Sequence, residues 1–154
     1  MKKMLSYAAC FFIMSSAFAG PGSILIKKFN QTFPNAQQVK WTDSKGGYFV
    51  SFYQNENFEK ILYDKDGDFN CSWKYTDGKS LPTNIVMILN KKYSAGKILG
   101  VTEYTTKDDV SYNIKLSTDS KLYSLDITSD GSVTKEEQYA NQNANNDDAK
   151  NMHH

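Results

Sequence analysis

The sequence predicts an α+β fold made of two tandem copies of a short helix packed on an antiparallel meander of three to four strands. Three observations predict it. Apolar residues recur every fourth position in two short segments, and each segment is followed by runs of alternating polarity. The two sets also register on one another: Tyr48-Val50-Phe52 falls on Tyr112-Ile114-Leu116, and Asp66-Gly67 falls on Asp130-Gly131, 64 residues on in both cases.

Taken in order, the first helix carries Leu25, Phe29 and Phe33 on one stripe, with Ser23 as its expected N-cap and Pro34 stopping it at Phe33. Alternation then predicts strands over Val39 to Thr42, Tyr48 to Tyr53, Phe58 to Tyr63 and Phe69 to Tyr75. The second helix carries Leu81, Ile85 and Leu89, with Pro82 suited to its first turn and Tyr93 ending it as Phe33 ends the first. Its strands are expected over Ile98 to Thr105, Val110 to Leu116, Leu122 to Thr128 and Ser132 to Gln138. The Asp-Gly pairs sit between alternating runs, where a hairpin needs a positive φ that Gly and Asp tolerate.

Both termini read differently from this middle. Lys2 and Lys3 precede an apolar run from Met4 to Phe18 that closes on Ala17-Phe18-Ala19, which fits a cleavable export signal over residues 1–19. The competing reading, a membrane anchor, meets a run shorter than the roughly 20 residues a bilayer needs. From Ala140 the composition falls to Asn, Gln, Asp, Ala and Lys, so residues 140–154 are expected to form a disordered tail. The domain then spans 20–139, with repeats at about 23–77 and 81–138, in an exported chain of the periplasm or the medium.

Charge excludes some partners. With Lys2 and Lys3 removed, the 18 basic residues fall to 16 against 17 acidic ones, and none is Arg. Without a basic excess or the guanidinium fork, a nucleic-acid partner is not expected. Cys71 is the one cysteine left after the signal, so no intramolecular disulfide forms. Its alternation with Phe69, Trp73 and Tyr75 favours a buried small hydrophobe over an exposed reactive thiol.

Catalytic and metal chemistries fare poorly. Both histidines, His153 and His154, fall in the tail, which leaves a Ser-His-Asp or Cys-His arrangement without its imidazole. Asp64-Lys65-Asp66-Gly67-Asp68 resembles the start of a calcium loop, but Phe69 stands where Gly is needed and Tyr75 where Glu is needed. Glu59, Asp64, Asp126 and Asp130 sit at apparent strand ends and turns, where solvated charges are expected rather than a catalytic pair. The expectation is a protein that is not an enzyme and takes no cofactor and no metal.

The segments FNQTFPNAQQVKW, YFVSFY, ILYDKDGDF and LPTNIVMILNKKY together resemble the PepSY-like, or beta-lactamase-inhibitor-like, family of exported Bacteroidetes proteins, over residues 24 to 138. The resemblance implies two tandem helix-plus-sheet modules, an exported location and no established catalytic residues. Fold likeness alone does not carry function.

Binding residues come from comparing the two copies. The second carries Asn113, Lys115, Ser124 and Asp126 on its outward face, whereas the aligned positions of the first include Phe49, Tyr53, Phe58 and Leu62. Together with Trp73 and Tyr75, whose face is open, Phe49, Tyr53 and Phe58 make the candidate protein-binding set. Cover by the chain's own elements is the competing explanation for these rings. The function expected is a non-catalytic exported binding module that engages another exported protein as an inhibitor or regulator of an envelope or secreted enzyme. The alternative is a carrier or sensor of a small apolar ligand, which an enclosed pocket would favour.

Overall fold

The computed structural model describes residues 20–93 and 96–141, so the expected signal and all of the expected tail beyond Asn141 lie outside the described residues. Eight strands are arranged in chain order in a single antiparallel sheet: β1 (Gln37–Ser44), β2 (Gly47–Gln54), β3 (Asn57–Asp64), β4 (Phe69–Thr76), β5 (Lys97–Thr106), β6 (Val110–Ser117), β7 (Lys121–Thr128) and β8 (Val133–Ala140). Two helices accompany them, α1 (Ser23–Thr32) before β1 and α2 (Thr83–Lys92) between β4 and β5.

This corrects the α+β expectation of two helix-on-meander units of three to four strands. The chain is mostly β, with one eight-stranded sheet, because β4 pairs directly with β5 from Cys71↔Thr106 to Thr76↔Val101. Two separate meanders would present four open edges of unpaired N–H and C=O groups. Pairing β4 with β5 leaves two, β1 and β8.

Each helix is short and held by its apolar stripe. In α1, Leu25 and Phe29 are buried, and Phe29 packs with Val50, Phe52 and Ile61. Its ring meets Trp41 and Phe52 edge-on, with centroids 5.4 and 5.1 Å away, the geometry the ring quadrupole favours. Phe33 caps the helix by donating its N–H to the Phe29 carbonyl, and its backbone, at φ −124° and ψ 65°, has left the α region that the following Pro34 disfavours. Gly22 rather than Ser23 occupies the N-cap, and no side-chain oxygen caps the helix.

The other helix lies over the second half. Ile85 and Leu89 of α2 join Val101, Ile114, Leu116, Leu125 and Ile127 in a second cluster. Pro82 stands one residue ahead of the expected first turn, as its N-cap. Both helices thus cover the same face of the sheet, and among the described residues the opposite face carries no helix.

Bulges decide which side chains share a face. Between β3 and β4, Leu62 and Tyr63 are consecutive but pair with Cys71 and Phe69. The extra residue in β4 turns Phe69 to the helix face, where it packs near Phe29, and leaves Cys71, Trp73 and Tyr75 on the other. The expected single face of Phe69, Cys71, Trp73 and Tyr75 is therefore broken at its first member. Asp126 and Ile127 stand in the same relation to Lys135 and Val133, again 64 residues on.

Candidate functional site

The helix-free face can be read straight from the strand register. One row runs Lys40, Ser51, Lys60, Trp73, Tyr104, Ser111 and Thr128, and a second runs Tyr53, Phe58, Tyr75, Thr102, Asn113 and Asp126. Phe49 and Leu62 head a third row that continues to Cys71 and Thr106. All five candidates, Phe49, Tyr53, Phe58, Trp73 and Tyr75, fall on this one face.

Their rings form two stacked ladders. Tyr53 and Phe58 are directly opposed at 5.2 Å, and Phe58 and Tyr75 at 5.6 Å. Phe49 meets Trp73 at 6.1 Å, and Trp73 meets Tyr104 at 5.3 Å. The Lys60 ammonium stands 4.1 Å from the centre of the Phe49 ring, a cation–π contact. Cross-strand aromatic pairs of this kind hold one another in place.

Exposure is uneven along the ladders. Tyr53 and Tyr75 are 42% and 43% exposed, while Phe49, Phe58 and Trp73 are half-buried by their neighbours. Beyond the Tyr53–Phe58–Tyr75 ladder lies an open concavity of about 530 Å³, rimmed by Asn55, Glu56, Asp77 and Lys79. Asp77 and Lys79 pair across 2.5 Å at this rim, which lowers the Asp77 pKa.

In the second half of the same face the middle of β6 and β7 is polar and satisfies itself, while Leu122 and the exposed Tyr139 pair near one end of β7 and β8. Asn113 donates to Asp126 at 2.6 Å, and Lys115 donates to Ser124 at 2.5 Å. Those hydrogen bonds are already spent on one another, and the ring-on-ring contacts of this face fall on β2 to β5.

Sequence reasoning missed Tyr104 and Lys60. Lys60 was legible, since it alternates with Phe58 and Leu62 in a strand expected to face outward. Tyr104 was not, because its face follows from the β4–β5 pairing, and α2 separates those strands in the chain.

The helix-bearing face holds a further surprise between the two helices. Glu59, Lys74 and Glu103 are direct cross-strand neighbours there, in a row that continues to the buried Tyr112. The expectation of a solvated strand-end charge at Glu59 is corrected: it sits mid-strand and half-buried. Loss of water raises its pKa, an effect that Lys74 partly offsets and Glu103 reinforces. Asp64 does end a strand, β3, and Asp130 does lie in a turn. Asp64 accepts from the Asp66 and Asp68 amides at 3.0 and 2.9 Å, and Asp130 accepts from the Ser132 amide at 3.1 Å. Among the described residues no group of three or more His, Cys, Asp or Glu is placed to hold a metal ion, and no helix is long and apolar enough to cross a membrane.

Comparison with known proteins returns no matching family model and no matching curated protein. Solved structures do match. A DUF2874 family protein from Bacteroides uniformis is 15% identical with a TM-score of 0.59, over 76% of this chain and 88% of its own. A BLIP-like protein from Bacteroides fragilis is 13% identical with a TM-score of 0.60, over 81% and 91%. A proposed periplasmic protein from Bacteroides eggerthii is 15% identical with a TM-score of 0.61, over 78% and 90%. At these identities the likeness is one of fold. It supports the beta-lactamase-inhibitor-like part of the expected resemblance and does not extend to membership of the PepSY-like family.

Proposed function

We propose that this chain is an exported, non-catalytic binding module whose helix-free face engages another protein, as an inhibitor or regulator of an envelope or secreted enzyme. The observation that carries the reading is the pair of aromatic ladders. Five separately placed aromatic residues of β2, β3 and β4 converge on the one face that nothing in the described chain covers, and Tyr104 of β5 extends them. Tyr and Trp supply large contact area at small entropic cost, which is why they concentrate at the centres of protein interfaces. Partly exposed rings such as Tyr53 and Tyr75 form a rim around more buried ones. The absence of Arg and the near balance of charge make packing rather than electrostatic steering the source of recognition.

Fold likeness to a BLIP-like protein and to a proposed periplasmic protein is in keeping with this reading and with the signal proposed at residues 1–19. The test is cross-linked capture from the producing cell's envelope and medium, run beside a Phe49→Ser, Tyr53→Ser variant verified as folded. Retention of one protein by the native form and its loss in the variant supports the proposal. Equal retention by both, or none by either, refutes the assignment of these rings.

A further inference from the structure

The two halves of the molecule fill one equivalent place differently. In the second half, the helix-ending Tyr93 packs its ring on Tyr123 at 4.9 Å, and its hydroxyl donates to Glu136 at 2.8 Å. Lys92 donates to the same carboxylate at 2.6 Å. The space between helix end and sheet is thereby closed by a ring, and the carboxylate there is answered by an ammonium.

In the first half, α1 ends in Thr32 and Phe33 where α2 ends in Lys92 and Tyr93. On the sheet, Glu59 pairs with Phe52 as Tyr123 pairs with Leu116, and Ser72 pairs with Ile61 as Glu136 pairs with Leu125. Glu59 therefore takes the place of the Tyr123 ring, and Thr32 takes the place of Lys92. What remains is a half-open pocket of about 430 Å³ between α1 and strands β3 to β5. Phe33, Ile61 and Phe69 give it apolar walls, and Glu59, Ser72 and Thr105 line it with polar groups. Among the described residues none makes a hydrogen bond or ion pair with the Glu59 carboxylate, and its cross-strand neighbour Lys74 is flanked on its other side by Glu103. Lys28 contributes a charge from α1 at the solvent side.

By this internal comparison the first half lacks two groups at their equivalent places, the Tyr123 ring and the Lys92 ammonium, and the nearest lysine of α1, Lys28, lies one turn earlier on the solvent side. We infer that the pocket between α1 and strands β3 to β5 binds a small aromatic amine, its ring in the volume that Tyr123 fills in the other half and its ammonium on Glu59. Apolar walls around a few convergent polar groups are the usual make-up of a small-ligand site. The Ser72 and Thr105 hydroxyls can accept from the remaining ammonium hydrogens. The site lies on the face opposite the aromatic ladders and is independent of them.

The test titrates 2-phenylethylamine into the purified protein and follows backbone amide shifts by NMR, with 2-phenylethanol and 3-phenylpropionate as the neutral and anionic counterparts. Saturable shifts confined to the surroundings of Phe33, Glu59, Ser72 and Thr105 are expected, with a Kd of about a millimolar or tighter for a ligand of this size. The alcohol should bind at least tenfold more weakly, and the carboxylate should not bind. Glu59→Gln, a near-isosteric change, should weaken the amine by at least tenfold with the rest of the spectrum unmoved. Glu59→Tyr, which copies the second half, should abolish binding and raise the melting temperature. Equal binding of amine and alcohol, amine binding undiminished in Glu59→Gln, or no saturable shift overturns the assignment.

Discussion

If β4 and β5 truly fuse the halves into one sheet, damage to the second half must be felt in the first. Ile114 tests this, being fully buried in the cluster beneath α2, on the strand beyond β5. Truncating a buried Ile to Ala removes its transfer free energy and leaves a cavity, a loss of about 3 kcal/mol for a site that cannot collapse. With a urea m-value of about 1.5 kcal/mol/M for a domain of this size, the unfolding midpoint should fall by about 2 M. Both tryptophans, Trp41 and Trp73, lie in the first half, so fluorescence reports there alone. In a Trp73→Phe background the reporter is Trp41 on β1, at the far edge of the sheet and 5.4 Å from Phe29. A single cooperative unit requires the Trp41 midpoint to drop by the full amount and to coincide with far-UV circular dichroism. A Trp41 midpoint that moves by less than about 0.5 M, with a separate earlier step in dichroism, would show two independent modules and refute the coupling across β4 and β5.

Other perturbations probe single positions. Gly47 has φ of +149° and lies so close to β3 that a Cβ would stand 2.7 Å from the Asp64 Cα and closer still to the Tyr63 carbonyl oxygen. Gly47→Ala should therefore cost about 3 kcal/mol or more and lower the melting temperature by roughly 10 °C or more, measured by calorimetry; a loss under about 1 kcal/mol would contradict the close approach. At Glu59 the sign follows from a folded pKa held above the unfolded one. The folded state then binds the proton more tightly, so this group costs stability as pH rises through the unfolded pKa and up to the folded one. Glu59→Gln should accordingly stabilise at pH 7, by less than about 1 kcal/mol given partial exposure and the offset from Lys74, with the gain vanishing toward pH 3. A gain that persists unchanged at pH 3 would point to packing instead. Cys71 is 5% exposed, so a thiol reagent should label it at least a thousandfold more slowly in the native protein than in urea, and labelling within seconds would place it at the surface.

How far the sequence could be read depended on whether a feature is local. Both helices and all eight strands lie within a few residues of their expected positions, because spacing four and spacing two are written into neighbouring residues. The union of the sheet was not legible. Thr76 and Val101 pair across the whole of α2, and an inner strand alternates just as an edge strand does. The β4 bulge was hidden for a related reason, since Phe69, Cys71, Trp73 and Tyr75 alternate without a break in the sequence while the backbone steps once between Phe69 and Cys71. Glu59 is a different case. Once Phe58 and Leu62 were taken to face outward, strand alternation required Glu59 to face the helices, and the general rule that charges sit in water overrode a more specific inference.

That conflict matters because of where it falls. In the second half local pattern and tertiary place agree: apolar residues lie under α2, polar ones pair on the open face, and Glu136 is held below its ordinary pKa by the Lys92 ammonium and the Tyr93 hydroxyl. The first half breaks the pattern on both faces, with Phe49 and Tyr53 where its counterpart has Asn113 and Ser117, and a desolvated carboxylate where its counterpart has Tyr123. Sequences agree with their folds across levels except where something else constrains them. The two departures differ in chemistry, since the cross-strand rings support one another whereas the Glu59 carboxylate is held against its desolvation, and the two proposals, a protein-binding face and a small-ligand pocket, give each a separate reason.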